Sequence, residues 1–181
     1  VECDEKRIDR RINAGFCDKK LYDLDEAVKL AIEKKVKKEA YSIAVVGNCA
    51  DTHPKLVKDG FIPDVVTDQT SAHDELNGYV PAGYYGNTLM DAFLLRKEDP
   101  KAYIDLSFKS MKAHCKAMLD FQKKGAVVFD YGNNLRGQAE KAGLKDAFSY
   151  PGFVPAYVRP MLAVGRGPFR WLALSGNPDD I

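Results

Sequence analysis

Tyr41-Ser-Ile-Ala-Val-Val-Gly47 is the stretch that decides the fold. It is short, β-branched and continuous, the pattern of a strand buried on both faces. Polar residues follow at once, Asn48 and Cys49, and then a short helix is expected over 51–59. Two further segments repeat this order. Ile62-Pro-Asp-Val-Val-Thr67 reads as a strand and runs into Asp68-Gln-Thr-Ser-Ala-His73. Ala126-Val-Val-Phe-Asp130 reads as another and runs into Tyr131-Gly-Asn-Asn134. Helical patterns separate and flank them. Asp4 is a natural N-cap for a helix ending near Gly15, and Val1 to Cys3 read as the end of a preceding strand. A helix opens near Asp23, with Leu24, Val28, Ala31 and Ile32 on one face. Residues 89–124 read as a long helical region broken at Pro100, with an apolar stripe of Ile104, Phe108, Met111, Cys115 and Met118. A last helix is expected over 133–143.

Strands alternating with helices predict an α/β fold. Its parallel sheet would carry helices on both faces, and 41–47, 63–67 and 126–130 would pair in parallel. In such sheets ligands bind in the crevice beyond the carboxyl ends of the strands. That rule selects Gly47-Asn48-Cys49, Asp68 to His73 and Asp130 to Asn134. Asp68 to Gly86 contains only loop chemistry, and loops of that length are usually functional. From Tyr150 to Ile181 the chain is rich in Pro, Gly and aromatics. This shift predicts a boundary near Pro155, dividing 1–157 from 158–181.

The bulk properties exclude several classes. The chain has 181 residues, 45% of them hydrophobic, and a net charge of +1. That balance gives no reason to expect nucleic acid or an anionic membrane as partner. No apolar run approaches the roughly 20 residues that cross a bilayer. Cys3, Cys17, Cys49 and Cys115 form no CxxC pair, which predicts a reduced, cytoplasmic protein. No metal-ligand spacing is read from the sequence. His53 is taken as a surface residue, and His114 and Cys115 as pointing to different helix faces.

The same strand-end stretches carry a resemblance. Asp68-Gln-Thr-Ser-Ala-His-Asp74 with Leu76-Asn-Gly-Tyr-Val-Pro-Ala-Gly83 resembles the urocanase (urocanate hydratase) family. So do Phe129-Asp-Tyr-Gly-Asn-Asn134, Tyr150-Pro-Gly-Phe-Val-Pro-Ala-Tyr157, Gly167-Pro-Phe-Arg-Trp171 and Arg7-Ile-Asp-Arg-Arg11. The resemblance implies a Rossmann-like NAD-binding domain, incomplete at the N-terminal side. It implies a lyase of histidine degradation that converts urocanate to imidazolonepropionate, with NAD+ as electrophile, in a homodimer. By resemblance Glu2 is the acidic residue at a strand end, with Arg7 supporting it or standing as a surface charge. Asn48 and Cys49 match a contact pair in which the family commonly has Ala at the second place, so Cys49 is read as a small filler beside the dinucleotide. Gln69, Thr70, Ser71, Ala72 and His73 match a continuous contact stretch. His73 is either a contact or an imidazole held by Asp74. Tyr79 and Val80 match another pair, and Tyr131 a tyrosine contact. Arg170 either pairs with the carboxylate of urocanate or is a structural arginine among aromatics.

The chain opens without Met, and the family's glycine-rich phosphate loop would precede Val1. The family's catalytic cysteine would follow Ile181, so no catalytic residue is assigned within the chain. These departures predict weak or absent NAD binding, and no turnover, by the chain alone. Two other functions stay open at this point: a non-catalytic nucleotide-binding module, and a fragment of an ordinary NAD-dependent dehydrogenase.

Overall fold

A computed structural model describes residues 1–83, 89–167 and 173–180. Asp4 caps helix α1 (Glu5–Asn13) by accepting the Lys6 N–H, and Asp23 caps α2 (Leu24–Lys37) through the Glu26 N–H. Between them lies β1 (Lys19–Leu21), which the sequence reading passed over. Strand β2 (Ile43–Val45) leads into α3 (Cys49–Lys58), and β3 (Val65–Asp68) into the long loop. Helix α4 (Leu89–Glu98) ends just before α5 (Pro100–Lys123). Pro100 starts α5, where a missing N–H costs nothing, and Asp99 caps it through the Ala102 N–H. Strand β4 (Val127–Asp130), α6 (Leu135–Lys141) and α7 (Arg159–Ala163) follow. A π-helical turn over Val154–Val158 runs directly into α7, so the backbone is helical across residue 157.

Among the described residues every strand pairing is parallel, as expected for an α/β fold of this kind. β1 pairs with β2 in the register Lys19–Ile43 to Leu21–Val45, and β3 with β4 from Val65–Val127 to Asp68–Asp130. Glu2 bridges Val46 in parallel, so Val1 to Cys3 do lie beside a strand, and Gly152 bridges Asp130. The expected partners of 41–47 need correction. Ile43–Val45 pairs with β1 and not with the two later strands, so among the described residues two short sheets stand where one was expected. Strand β2 is also not buried on both faces, since Ile43 and Ala44 are half-buried and only Val45 is buried. Val66 and Asp68, like Val128 and Asp130, point inward, while Val65 and Val127 are exposed. Alternation of this kind marks one packed face.

The main core lies between β3–β4, α5 and α6. It contains Val66, Val128, Met111, Met118, Phe121 and Leu135, among others. A smaller cluster of Leu21, Ala27 and Val45 joins β1, β2 and α2. Helix α5 is the central support, and its buried face carries Ser107, Ser110 and His114 as well as apolar side chains. Two of these polar groups receive the long loop. The Ser107 hydroxyl donates to the Tyr79 carbonyl (3.3 Å), and the Ala82 N–H donates to the Ser110 hydroxyl (2.9 Å).

Candidate functional site

The carboxyl end of β2 is organised by Asn48. Its side-chain oxygen caps α3 by accepting the Ala50 N–H at 2.9 Å, and its amide donates to the Val80 carbonyl at 2.8 Å. The Tyr79 hydroxyl reaches the same side-chain oxygen at 3.4 Å. Asn48, Cys49, Tyr79 and Val80, adjacent only in pairs along the chain, therefore meet in one place. Gly47 permits a close turn here, since a Cβ would stand 3.3 Å from the Thr52 methyl. A cleft of about 440 Å³ opens beside it, lined among others by Cys3, Gly47, Asn48, Asp51, Val80 and Ala92. Glu2 sits at the adjacent strand end. Its carboxylate accepts the Asp4 N–H at 3.0 Å and lies 3.9 Å from the exposed Arg7 guanidinium, so these two predicted residues are partners.

The ends of β3 and β4 place two buried carboxylates in register, Asp68 and Asp130. Arg136 pairs with Asp130 at 2.6 Å and donates to the Tyr150 carbonyl at 2.8 Å. The Gly132 N–H also donates to Asp130. Neither oxygen of Asp68 has a hydrogen-bond partner. Burial, and then the charge on Asp130, push the Asp68 carboxyl up to about 7. The Thr70 and Tyr131 amides and Arg136 act the other way without closing a well-formed bond to it. Asp68 is thus a proton-holding group at a strand end. The strand-end rule selects the stretches that begin at Asp68 and Asp130 but gives neither carboxylate, nor Arg136, a role of its own. The signal was there: Val-Val-Thr-Asp68 and Val-Val-Phe-Asp130 end alike.

Beyond Asp68, Gln69, Ser71 and His73 are exposed, Thr70 is half-buried and Ala72 is buried. Ala72 is held by the fold itself. Its N–H donates to the Asn133 carbonyl and its carbonyl accepts from the Gln138 amide, both at 2.9 Å. Asp74 does not hold His73. Its carboxylate takes the Leu76 and Asn77 N–H groups and the Asn77 side chain, making the turn that follows. Tyr79 is buried, and the Tyr103 hydroxyl donates to its carbonyl at 2.9 Å. Tyr131 is half-exposed, with its ring stacked on Phe153 at 5.5 Å and 19°. Arg170 lies outside the described residues.

Helices α3 and α5 also bring Cys49, His53 and His114 together, with one ligand-type atom from each within 4.8 Å of the others. His53 is thus half-buried rather than a free surface residue. Its ring packs edge-on against His114, with centroids 4.9 Å apart. His114 and Cys115, though adjacent, are both fully buried, because α5 is covered over much of its circumference. The overlooked signal was helical: Cys49 and His53 stand four residues apart, one turn on α3. Burial raises the Cys49 thiol to about 11, with Asp68 and Glu2 adding. Such a thiol is not a nucleophile at neutral pH.

A dinucleotide fits this surface in part. The Gly47 turn leading into the α3 N-terminus, the Glu2 carboxylate and the exposed donors of residues 69–73 suit diphosphate, ribose and amide groups. The Asn48 amide and the Ala72 backbone are already engaged, so they shape the surface and offer no free hydrogen bond. Among known families, the model described as the urocanase Rossmann-like domain matches residues 1–157.

Proposed function

The chain belongs to the urocanase family, and from that premise we propose that it holds NAD+ in an enzyme that hydrates urocanate to imidazolonepropionate. The observation that supports this reading is that Glu2 and Gly47 to Cys49 lie at adjoining strand ends of one parallel pair, and Asp68 to His73 and Asp130 to Asn134 at those of the other, where Ala72 is bonded to Asn133. Bound NAD+ would supply an electrophilic ring that activates urocanate toward water.

The chain's own residues bind and orient. Glu2, at its strand end, accepts hydrogen bonds from ribose hydroxyls, and Arg7 steadies the carboxylate. Asn48, fixed by Ala50 and Val80, sets the course of the backbone at the turn into α3. Gln69, Thr70, Ser71 and His73 present side-chain donors and acceptors to the nicotinamide end, on a segment anchored through Ala72. Cys49 and Val80 fill space beside the ring system. Tyr131, stiffened by its stack on Phe153, offers a flat face that excludes water from one side. Asp68 holds a proton near neutral pH beside this surface. Arg170 is assigned to the urocanate carboxylate. The same reading carries a small-molecule substrate, a homodimer, a place in histidine degradation and a cytoplasmic location. No helix among the described residues is long and apolar enough to cross a membrane.

The test follows urocanate hydration by the holoenzyme with NAD+ deuterated at nicotinamide C4. Deuterium is expected to stay on the cofactor through many turnovers. Deuterium in the product, or accumulation of free NADH, would mean hydride transfer and would remove the proposal.

A further inference from the structure

The cluster on α3 and α5 has a second property that dinucleotide binding does not use. His114 is fully buried, and its Nε2 has no hydrogen-bond partner. An orphaned buried nitrogen is costly and calls for an explanation, an ion among them. The other nitrogen of the ring is accounted for, since Nδ1 lies 3.4 Å from the Tyr79 hydroxyl. His53 is held in the same way, its Nδ1 lying 3.2 Å from the Thr52 hydroxyl. Ligating imidazoles characteristically have one nitrogen fixed by an outer partner and the other turned to the metal. Here two rings with hydroxyl-anchored Nδ1 atoms stand beside one thiol.

We propose that Cys49, His53 and His114 form a site for a thiophilic divalent cation of the zinc class, with three protein donors and one coordination position open. One thiolate and two imidazoles are a donor set suited to zinc and poorly suited to magnesium or calcium. A tetrahedral centre with bonds of about 2.0–2.3 Å needs its ligand atoms roughly 3.3–3.8 Å apart. The three groups lie within 4.8 Å, so closure asks for a movement of about 1 Å, within reach of side-chain rotation. On binding, Cys49 loses its proton to solvent and its sulfur bonds the cation. Each imidazole donates a lone pair, and nothing is oxidised or reduced. Both rings are held neutral by burial, so they need lose no proton. The bound cation would pin α3 to α5 immediately behind Asn48, at the edge of the cleft.

The test treats the protein with chelator, removes the chelator, and titrates with Zn2+ alone by calorimetry. Co2+ alone is then followed by absorption. One Zn2+ per chain is expected, with release of one proton, a higher thermal midpoint, and a thiolate-to-metal charge-transfer band with Co2+. Cys49→Ala, which suits the first turn of a helix, should abolish the band. Cys49→Ala and His53→Ala should each weaken Zn2+ binding by at least about 100-fold, while Cys17→Ser leaves it unchanged. Circular dichroism reports whether each variant is folded, and the two substitutions stand independently. Absence of saturable Zn2+ binding in the micromolar range would overturn the proposal. So would binding, or a cobalt band, that survives both substitutions.

Discussion

Asp68 is a carboxyl group kept where its ion is least welcome. It is 4% exposed, faces Asp130, and has no hydrogen-bond partner. Its pKa rises from 3.8 to about 7 on folding, so between those values the folded chain keeps a proton that the unfolded chain has lost. Stability from this group therefore falls as pH rises through that window, and the penalty is complete above it. Asp68→Asn is expected to stabilise the protein above pH 7, by at most about 4 kcal/mol, with the gain fading as pH drops toward 4. Urea unfolding of variant and parent across pH measures the difference, in which other titrating groups cancel. A variant of equal or lower stability at pH 8 would contradict it. His114 teaches a different lesson at this scale. A helical-period reading follows apolar residues, so it passed over a histidine buried as deeply as its apolar neighbours.

The loop between β3 and α4 shows how an element without regular structure is made definite. Ala72 ties it to Asn133 and Gln138, Asp74 closes the next turn, and Ser107 and Ser110 of α5 receive Tyr79 and Ala82. Gly78 sits at the tightest point. A Cβ there would stand 2.5 Å from the Asp74 carbonyl oxygen and 2.6 Å from that of Ser71. Backbone cannot step aside as a side chain can. Gly78→Ala is expected to destabilise the protein by about 1–3 kcal/mol and to displace the 71–74 segment. Denaturant melts and amide spectra of that segment check this, and a neutral substitution would mean the loop is looser than described. Polar strand ends and glycine-containing turns made this loop legible as a long, irregular segment following a strand. Its anchors were not legible, because they come from serines on a helix read only for its apolar stripe.

Across the whole molecule, the alternation of strand and helix was readable and the division of the sheet was not. The runs at 43–45, 65–68 and 127–130 announce themselves by β-branching. Lys19-Lys20-Leu21 does not, since three residues give no periodicity and only Leu21 is buried. Missing that strand gave Ile43–Val45 the wrong neighbours. The polar stretches at the carboxyl ends do not depend on that neighbour, because each follows its own strand in the sequence whichever strand it pairs with. Their joint use is the centre of the account, and NAD+ titration followed by backbone amide chemical shifts tests it most directly, since such shifts register weak binding as well as tight. With the intact enzyme, the predicted result is a saturable change among the described residues at 2–7, 47–49, 69–73, 79–80 and 130–134, reduced by Glu2→Gln. Amides of the intact enzyme that do not move on adding NAD+, or that move on a surface away from these stretches, would contradict it.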